Sequence, residues 1–130
     1  MKLARWIFLV AGLYGLAVLA PGFFMEAAFG AASPPPVNHP EFYYGFYGSA
    51  FVWQLVFLAI AWDPGRFRLL MPIAVLEKIA FFAPAMALYA NGRLAVGGPF
   101  YGAIIDGVLM VLFALAWLNM PKPAAAAAGP

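Results

Sequence analysis

The chain has 130 residues, of which 66% are hydrophobic and 9% are charged, with a formal net charge of +2 and a mean hydropathy of +0.91. This composition is typical of membrane proteins and argues against a soluble domain anywhere in the chain. The seven Lys and Arg residues are scattered and form no basic run, so the charge does not indicate a nucleic-acid partner. Cysteine is absent, which excludes disulfides, thiol redox relays and thiolate metal sites.

The first predicted span covers residues 6–24 and follows two basic residues, Lys2 and Arg5. A basic start before an apolar run also resembles a secretory signal. The run is too long for such a signal, and the small residues that imitate a cleavage site, 30–33, lie beyond a membrane-spanning length. We therefore expect an uncleaved first helix, followed by a loop rich in small residues and proline.

The second predicted span covers residues 41–62 and has a typical helix start. Asn38 is a capping residue type, Pro40 suits the first turn, and Glu41 places negative charge at the positive end of the helix dipole. The single histidine, His39, lies outside the spans, so the chain cannot hold an intramembrane haem by two histidines of its own. Together with Glu41 it is also too small a ligand set for a metal site.

The third and fourth predicted spans cover residues 69–90 and 99–119. Asp63-Pro64-Gly65 predicts the turn before the third span, and Asn91-Gly92 predicts its end. Residues 121–130 are predicted to be a disordered cytoplasmic tail. Because the later connections are short, consecutive helices should be neighbours. The predicted fold is all-α: one domain, residues 1–120, that forms an integral-membrane, four-helix antiparallel bundle.

The basic residues also predict an orientation, since Lys and Arg accumulate on the cytoplasmic side of membrane proteins. In a four-span topology only Arg93 falls on the far side. Both termini should therefore face the cytoplasm. The residues that fall on the cytoplasmic side are Lys2, Arg5, Arg66, Arg68 and Lys122.

Charged side chains inside the spans are the clearest candidates for a site. Glu77 and Lys78 lie within the third span and Asp106 within the fourth, although an ionised residue near the bilayer centre costs roughly 2.5 to 3.5 kcal/mol on insertion scales. Counting about 1.5 Å per residue places Gln54 and Tyr14 at a depth similar to that of Glu77. The five residues together predict an intramembrane polar cluster.

Within this cluster we expect Lys78 to pair with Asp106. Adjacent residues project about 100° apart around a helix, so Glu77 and Lys78 should meet different neighbours. Glu77 is then expected to share hydrogen bonds with Gln54 or Tyr14, in its protonated form. The cluster can be structural, holding the helices together, or it can be a proton- or ligand-binding pocket.

Small residues in the spans predict close helix packing. Gly98 and Gly102 have the GxxxG spacing, and Ala103 and Gly107 continue this small-residue surface beside Asp106. Gly45 with Ser49 repeats a similar pattern on the second span. We expect these contacts to form inside the bundle rather than between copies of the chain.

The chain resembles the small four-helix bacterial membrane proteins of the DoxX-like kind and neighbouring uncharacterised families. The resemblance rests on length, the Arg5-Trp6 start, the Asp63-Pro64 break and the Leu76-Glu77-Lys78 stretch. It implies a four-helix fold and a location in the bacterial cytoplasmic membrane as a multi-pass protein. It implies no catalytic residue, cofactor or metal.

Two classes of function remain from the sequence. The first, which we prefer, is a non-enzymatic membrane component or accessory subunit that contacts lipid and a membrane-protein partner. The alternative is a small transporter or channel, built as a homo-oligomer, that uses Glu77 as a proton- or cation-responsive carboxylate. A weaker third class is a lipid- or quinone-binding enzyme subunit.

Overall fold

The computed structural model describes residues 1–124. Helix α1 spans Lys2–Leu19 and continues as a 3₁₀ turn, Ala20–Phe24. A short helix, α2, spans Glu26–Ala32. The three remaining helices are long: α3 spans Pro40–Trp62, α4 spans Leu70–Ala90, and α5 spans Gly98–Leu118.

Four helical segments within residues 1–124 are long and apolar enough to cross a membrane: Lys2–Phe24, Pro40–Trp62, Leu70–Ala90 and Gly98–Leu118. At about 1.5 Å per residue, segments of this length match a hydrocarbon core of roughly 30 Å. Their outer faces carry exposed apolar side chains such as Val52 and Val108, as the lipid-facing surface of a membrane bundle does. The prediction of four apolar spans is confirmed.

The helix ends follow local chemistry, with three departures from the predictions. The first span begins at Lys2 rather than at residue 6. The loop after it contains α2, which was not predicted. Helix α3 has His39 as its N-cap and no capping bond from a side chain, so the prediction that Asn38 caps it is wrong. Pro40 already supplies one of the first positions of the helix and lacks the N–H that a cap would satisfy.

Proline and glycine explain two of the other boundaries. Pro21 lacks a backbone N–H, so the α-helical hydrogen-bond ladder cannot continue through it, and the chain tightens into the 3₁₀ turn. Gly92 follows α4 with φ = 71°, a left-handed conformation that glycine adopts without steric cost. The predicted end of the third span at Asn91-Gly92 is confirmed.

The long helices pack as two pairs. Helix α1 packs along α3, α4 packs along α5, and a smaller contact between α1 and α5 joins the pairs. Helices α3 and α4 touch little, although a short turn connects them. The prediction that all consecutive helices are neighbours is therefore wrong for this pair, and the space between them is part of the cavity described below.

The apolar core occupies one end of the bundle, near the α3–α4 turn and the end of α5. Its centre is formed by Phe8, Phe57 and Phe113, which are fully buried. The rings of Phe8 and Phe113 are stacked with centroids 4.3 Å apart, and Phe57 lies 4.9 Å from Phe113 in an edge-on arrangement. Offset and edge-on contacts of this kind are the favourable geometries for aromatic pairs.

The same end of the bundle holds the last described residues. Arg68 Nη1 donates a hydrogen bond of 2.7 Å to the Pro121 carbonyl, which ties the α3–α4 connection to the segment after α5. Residues 121–124 have no regular secondary structure. The rest of the predicted tail, residues 125–130, lies outside the described part of the chain.

Glycines allow close approach at one predicted position, Gly107, and at one that was not predicted, Gly15. Gly107 on α5 lies against the Phe82 ring of α4, and Gly15 on α1 lies against Gln54 of α3, so that a Cβ at either position would overlap its neighbour. The predicted packing at Gly107 is confirmed. By contrast, Gly45 and Gly98 have no heavy atoms of the described residues within 4 Å of an added Cβ. The prediction that these two glycines pack inside the bundle is wrong, because both lie on faces that no neighbouring helix covers.

Candidate intramembrane binding site

A cavity of about 820 Å³ lies between the two helix pairs. All four long helices contribute to its lining, and so does the segment that precedes α3. The volume falls within the range of about 300 to 1,000 Å³ that is usual for small-molecule sites in proteins.

The cavity exists because α3 and α4 make few contacts with each other. The Phe46 and Phe81 rings form one of these contacts, with centroids 5.5 Å apart, and both rings line the cavity. The few contacts elsewhere along this pair leave room beside α1 and α5. Residues 35–39, at the end opposite the apolar core, complete the lining.

Helix α3 supplies an aromatic wall. Tyr43, Phe46 and Tyr47 line the cavity, followed along the same helical face by Ala50 and Gln54. Their spacing of three, four, seven and eleven residues places them on one side of a helix. This wall was not predicted from the sequence. The helical spacing from Gln54 back to Tyr43 was the signal that could have found it.

Tyr43 is held in the wall by a hydrogen bond rather than exposed at the interface. Its hydroxyl donates to the Gly22 carbonyl over 2.6 Å, which satisfies a carbonyl of the 3₁₀ turn. The ring is buried and lies 4.8 Å from the Tyr47 ring, centroid to centroid. One end of the wall is therefore fixed to the first span.

Charged side chains line the opposite part of the cavity. Lys78 Nζ donates a hydrogen bond of 3.1 Å to Asp106 Oδ1, so the predicted pairing of these two residues is present. The same nitrogen lies 3.3 Å from Glu77 Oε2. The expectation that Glu77 and Lys78 meet different neighbours is wrong, because the long lysine side chain brings its ammonium group between the two carboxylates. We call Glu77, Lys78 and Asp106 the charged triad.

The three groups of the triad are not equally accessible. The Lys78 side chain is only 5% exposed, whereas Glu77 and Asp106 keep 17% and 19% of their side-chain surface. The two acidic side chains are therefore more accessible than the lysine side chain. Glu77 Oε2 itself is buried and has no hydrogen-bond partner among the described residues, since its contact with Lys78 does not have hydrogen-bond geometry.

Gln54 and Tyr14 line the same cavity but do not bond to Glu77. Gln54 Nε2 donates to the Ala50 carbonyl one turn earlier in α3, over 2.8 Å, and not to Glu77. Tyr14 is 43% exposed. The predicted hydrogen bonds from Glu77 to these residues are therefore absent from the described structure, although all five members of the predicted polar cluster line one cavity.

The aromatic core closes the bundle directly behind the triad. Lys78 Nζ lies 5.2 Å from the centroid of the Phe57 ring, within the range of a cation–π contact. Phe57 in turn packs on Phe113. The cavity thus combines an aromatic wall with a charged group of residues that rests on the apolar core.

The start of α3 forms no metal centre with the other described residues. His39 Nδ1 lies 3.1 Å from Glu41 Oε1, and both side chains are exposed. Within residues 1–124 no three His, Cys, Asp or Glu side chains come together in a way that would hold a metal ion. His39 instead lines the cavity, at the end opposite the apolar core.

Comparisons with protein-family models, with curated proteins and with solved structures give no match. The resemblance to DoxX-like proteins therefore stays a prediction, and the geometry of the cavity carries the functional argument.

Proposed function

We propose that this chain is a non-enzymatic component of the bacterial cytoplasmic membrane that binds a small molecule with an apolar body in its intramembrane cavity. One observation carries the proposal: a cavity of about 820 Å³ with an aromatic wall and a charged triad at one side. Apolar pockets that contain a few convergent polar groups are the usual form of ligand sites. The accessory role follows if the bound molecule is held for, or delivered to, a membrane-protein partner.

The proposal includes a topology. The four spans run antiparallel, with both termini in the cytoplasm. Support comes from the clustering of the basic residues and from the bond between Arg68 and the Pro121 carbonyl, which places the α3–α4 turn beside the segment that follows α5. The cavity then lies toward the outer leaflet, and its charged triad lies nearer the cytoplasmic side.

A cavity-filling substitution tests the binding function. Gly102 lines the cavity, and an added Cβ there would meet only Phe81, at 3.9 Å. The Gly102→Leu variant should therefore fold but occupy space that a ligand needs, and its occupancy should fall by about tenfold or more. Native mass spectrometry of protein released from membranes in mild detergent would measure the bound molecules.

Gly45→Leu is the matched control. Gly45 occupies a comparable early position in α3, has open space beside it and does not line the cavity. Wild type and Gly45→Leu should carry the same molecule, whereas Gly102→Leu should not. Equal occupancy in all three proteins, including none in any of them, would contradict a binding function of the cavity.

The unbonded carboxylate oxygen favours a second candidate, a homo-oligomeric transporter or channel in which Glu77 responds to protons or cations. Glu77 Oε2 is buried beside the cavity without a hydrogen-bond partner among the described residues. This candidate requires flux across a bilayer. Liposomes that contain wild type should then carry a proton or cation current, and a correctly folded Glu77→Gln variant should abolish it. This candidate would be rejected if liposomes with and without the wild-type protein have the same permeability to protons and cations.

A further inference from the structure

We infer that the ligand of the cavity is an organic cation: a molecule with one positive charge and an apolar, preferably aromatic, body. This inference rests on the proposed binding function and adds the chemical class of the ligand. It follows from the charge of the triad, from the unequal exposure of its members and from the chemistry of the cavity walls.

The charge of the triad is unbalanced. Two carboxylates surround one ammonium group, at 3.3 and 3.1 Å, so the ionised triad carries one net negative charge. A net charge in a region of low dielectric is costly. It is relieved either by a proton, as expected from the sequence for Glu77, or by another positive charge that takes the place of that proton. Among the described ion pairs, those of Glu77 and Asp106 share a single cation, Lys78. A ligand with a single positive charge would complete the balance.

The exposed part of the triad has the sign that a cation requires. All three members of the triad line the cavity, but Lys78 is almost fully covered and lies over the Phe57 ring, whereas Glu77 and Asp106 keep accessible side-chain surface. A ligand in the cavity therefore meets the acidic side chains more readily than the lysine side chain. An anionic ligand would have to displace these carboxylates to reach the covered ammonium group.

The walls suit the rest of such a molecule. Phe46, Tyr47 and Phe81 line the cavity, and their ring faces are the negative part of the aromatic quadrupole. Organic cations with delocalised or well-shielded charge bind such faces favourably, since desolvation of the cation is less costly than for an inorganic ion. The aromatic wall and the acidic surface of the triad thus select the same class of ligand.

Two ions of nearly equal shape and opposite charge test the inference: tetraphenylphosphonium and tetraphenylborate. Their affinities would be measured by isothermal titration of the protein in nanodiscs, with empty nanodiscs as the baseline. The readout is the ratio of the two affinities in wild type relative to Glu77→Gln, because partitioning into the bilayer cancels in that comparison. Removing one negative charge at an effective dielectric constant near 20 should shift this ratio toward the anion by about tenfold or more.

Three further measurements keep the result interpretable. Glu77→Asp keeps the charge and should keep the preference for the cation. In wild type alone, 1-naphthylmethylamine should displace tetraphenylphosphonium, while 1-naphthylmethanol, which has the same ring system without the charge, should not. Nanodiscs with and without phosphatidylethanolamine distinguish a free cation from a lipid amine, since a lipid amine in the cavity would lower the apparent affinity for tetraphenylphosphonium.

The outcomes separate this inference from the function on which it rests. If Gly102→Leu weakens binding of both ions equally and Glu77→Gln leaves their ratio unchanged, the cavity binds ligands but the cationic class is wrong. Displacement by the alcohol as strong as that by the amine would overturn the class in the same way. If tetraphenylphosphonium binds Gly102→Leu and Gly45→Leu as it binds wild type, or does not bind wild type at all, both the cationic class and the cavity as its site are rejected.

Discussion

Replacing Lys78 by methionine should destabilise the protein by about 3 to 5 kcal/mol, the usual cost of removing one partner from a buried ion pair. Lys78 is the cation that both Glu77 and Asp106 contact, so its loss leaves two carboxylates close together without a counter-charge. Methionine keeps a long apolar side chain over the Phe57 ring, which confines the change to the charge. Equilibrium unfolding of wild type and variant in the same detergent would measure the difference.

Two companion variants show whether the charges cause this loss. Glu77→Gln leaves the bond between Lys78 and Asp106 intact and should cost far less, near the value of about 0.6 kcal/mol found for typical polar contacts between membrane helices. Lys78→Met combined with Asp106→Asn should recover part of the stability that the single lysine variant loses. If Lys78→Met is as stable as wild type to within about 0.5 kcal/mol, the triad does not hold α4 and α5 together.

Hydrophobic length and turn chemistry were enough to locate the spans. The bounds of α3, α4 and α5 fall within one residue of the predicted spans, because Pro40 and Pro99 favour helix starts and Gly92 favours a helix end through local backbone effects. Helix α2 escaped prediction since its seven residues are too few to show a periodic pattern.

Helix pairing depends on interactions that the sequence does not display. A short turn predicts that α3 and α4 are neighbours, yet most of the packing of α3 is with α1. Gly107 lies on the predicted small-residue surface, but the close approach at Gly15 depends on Gln54 lying opposite it, which no spacing displays. The GxxxG spacing indicates only that two small residues share one face of a helix. The shape of the cavity follows from this pairing, so the sequence offered a pocket only as one of two interpretations of the polar cluster.

The sequence predicted which residues form the polar cluster, but it did not predict all of the bonds between them. Insertion cost and depth bring Glu77, Lys78, Asp106, Gln54 and Tyr14 to attention, and all five line one cavity. The hydrogen bonds depend on side-chain conformation. The helical rise and rotation per residue do not determine that conformation. The Lys78 side chain reaches back to the preceding residue, Glu77, and the Gln54 amide donates to the Ala50 carbonyl four residues earlier.

Replacing Phe113 by alanine should destabilise the bundle by about 2 kcal/mol. The substitution removes roughly 100 Å³ of buried volume, and each Å³ of unfilled cavity costs about 24 cal/mol in large-to-small substitutions. We count only this packing term, since lipid tails are as apolar as a protein core and helix association in membranes gains little from apolar burial itself. Phe113 is fully buried and contacts both Phe8 and Phe57, so neither neighbour can move into the space without losing its own contacts.

Phe24→Ala is the matched control for this prediction, because the Phe24 side chain is 91% exposed and its loss should leave the unfolding free energy unchanged to within about 0.5 kcal/mol. The core variant should also affect the ligand site. Phe113 supports Phe57, and Phe57 lies beneath Lys78, so a softened core should weaken ligand binding even at temperatures where the protein stays folded. Unfolding and binding would be measured on the same preparations. Equal stability of Phe113→Ala and Phe24→Ala would mean that the aromatic core does not support the closed end of the cavity.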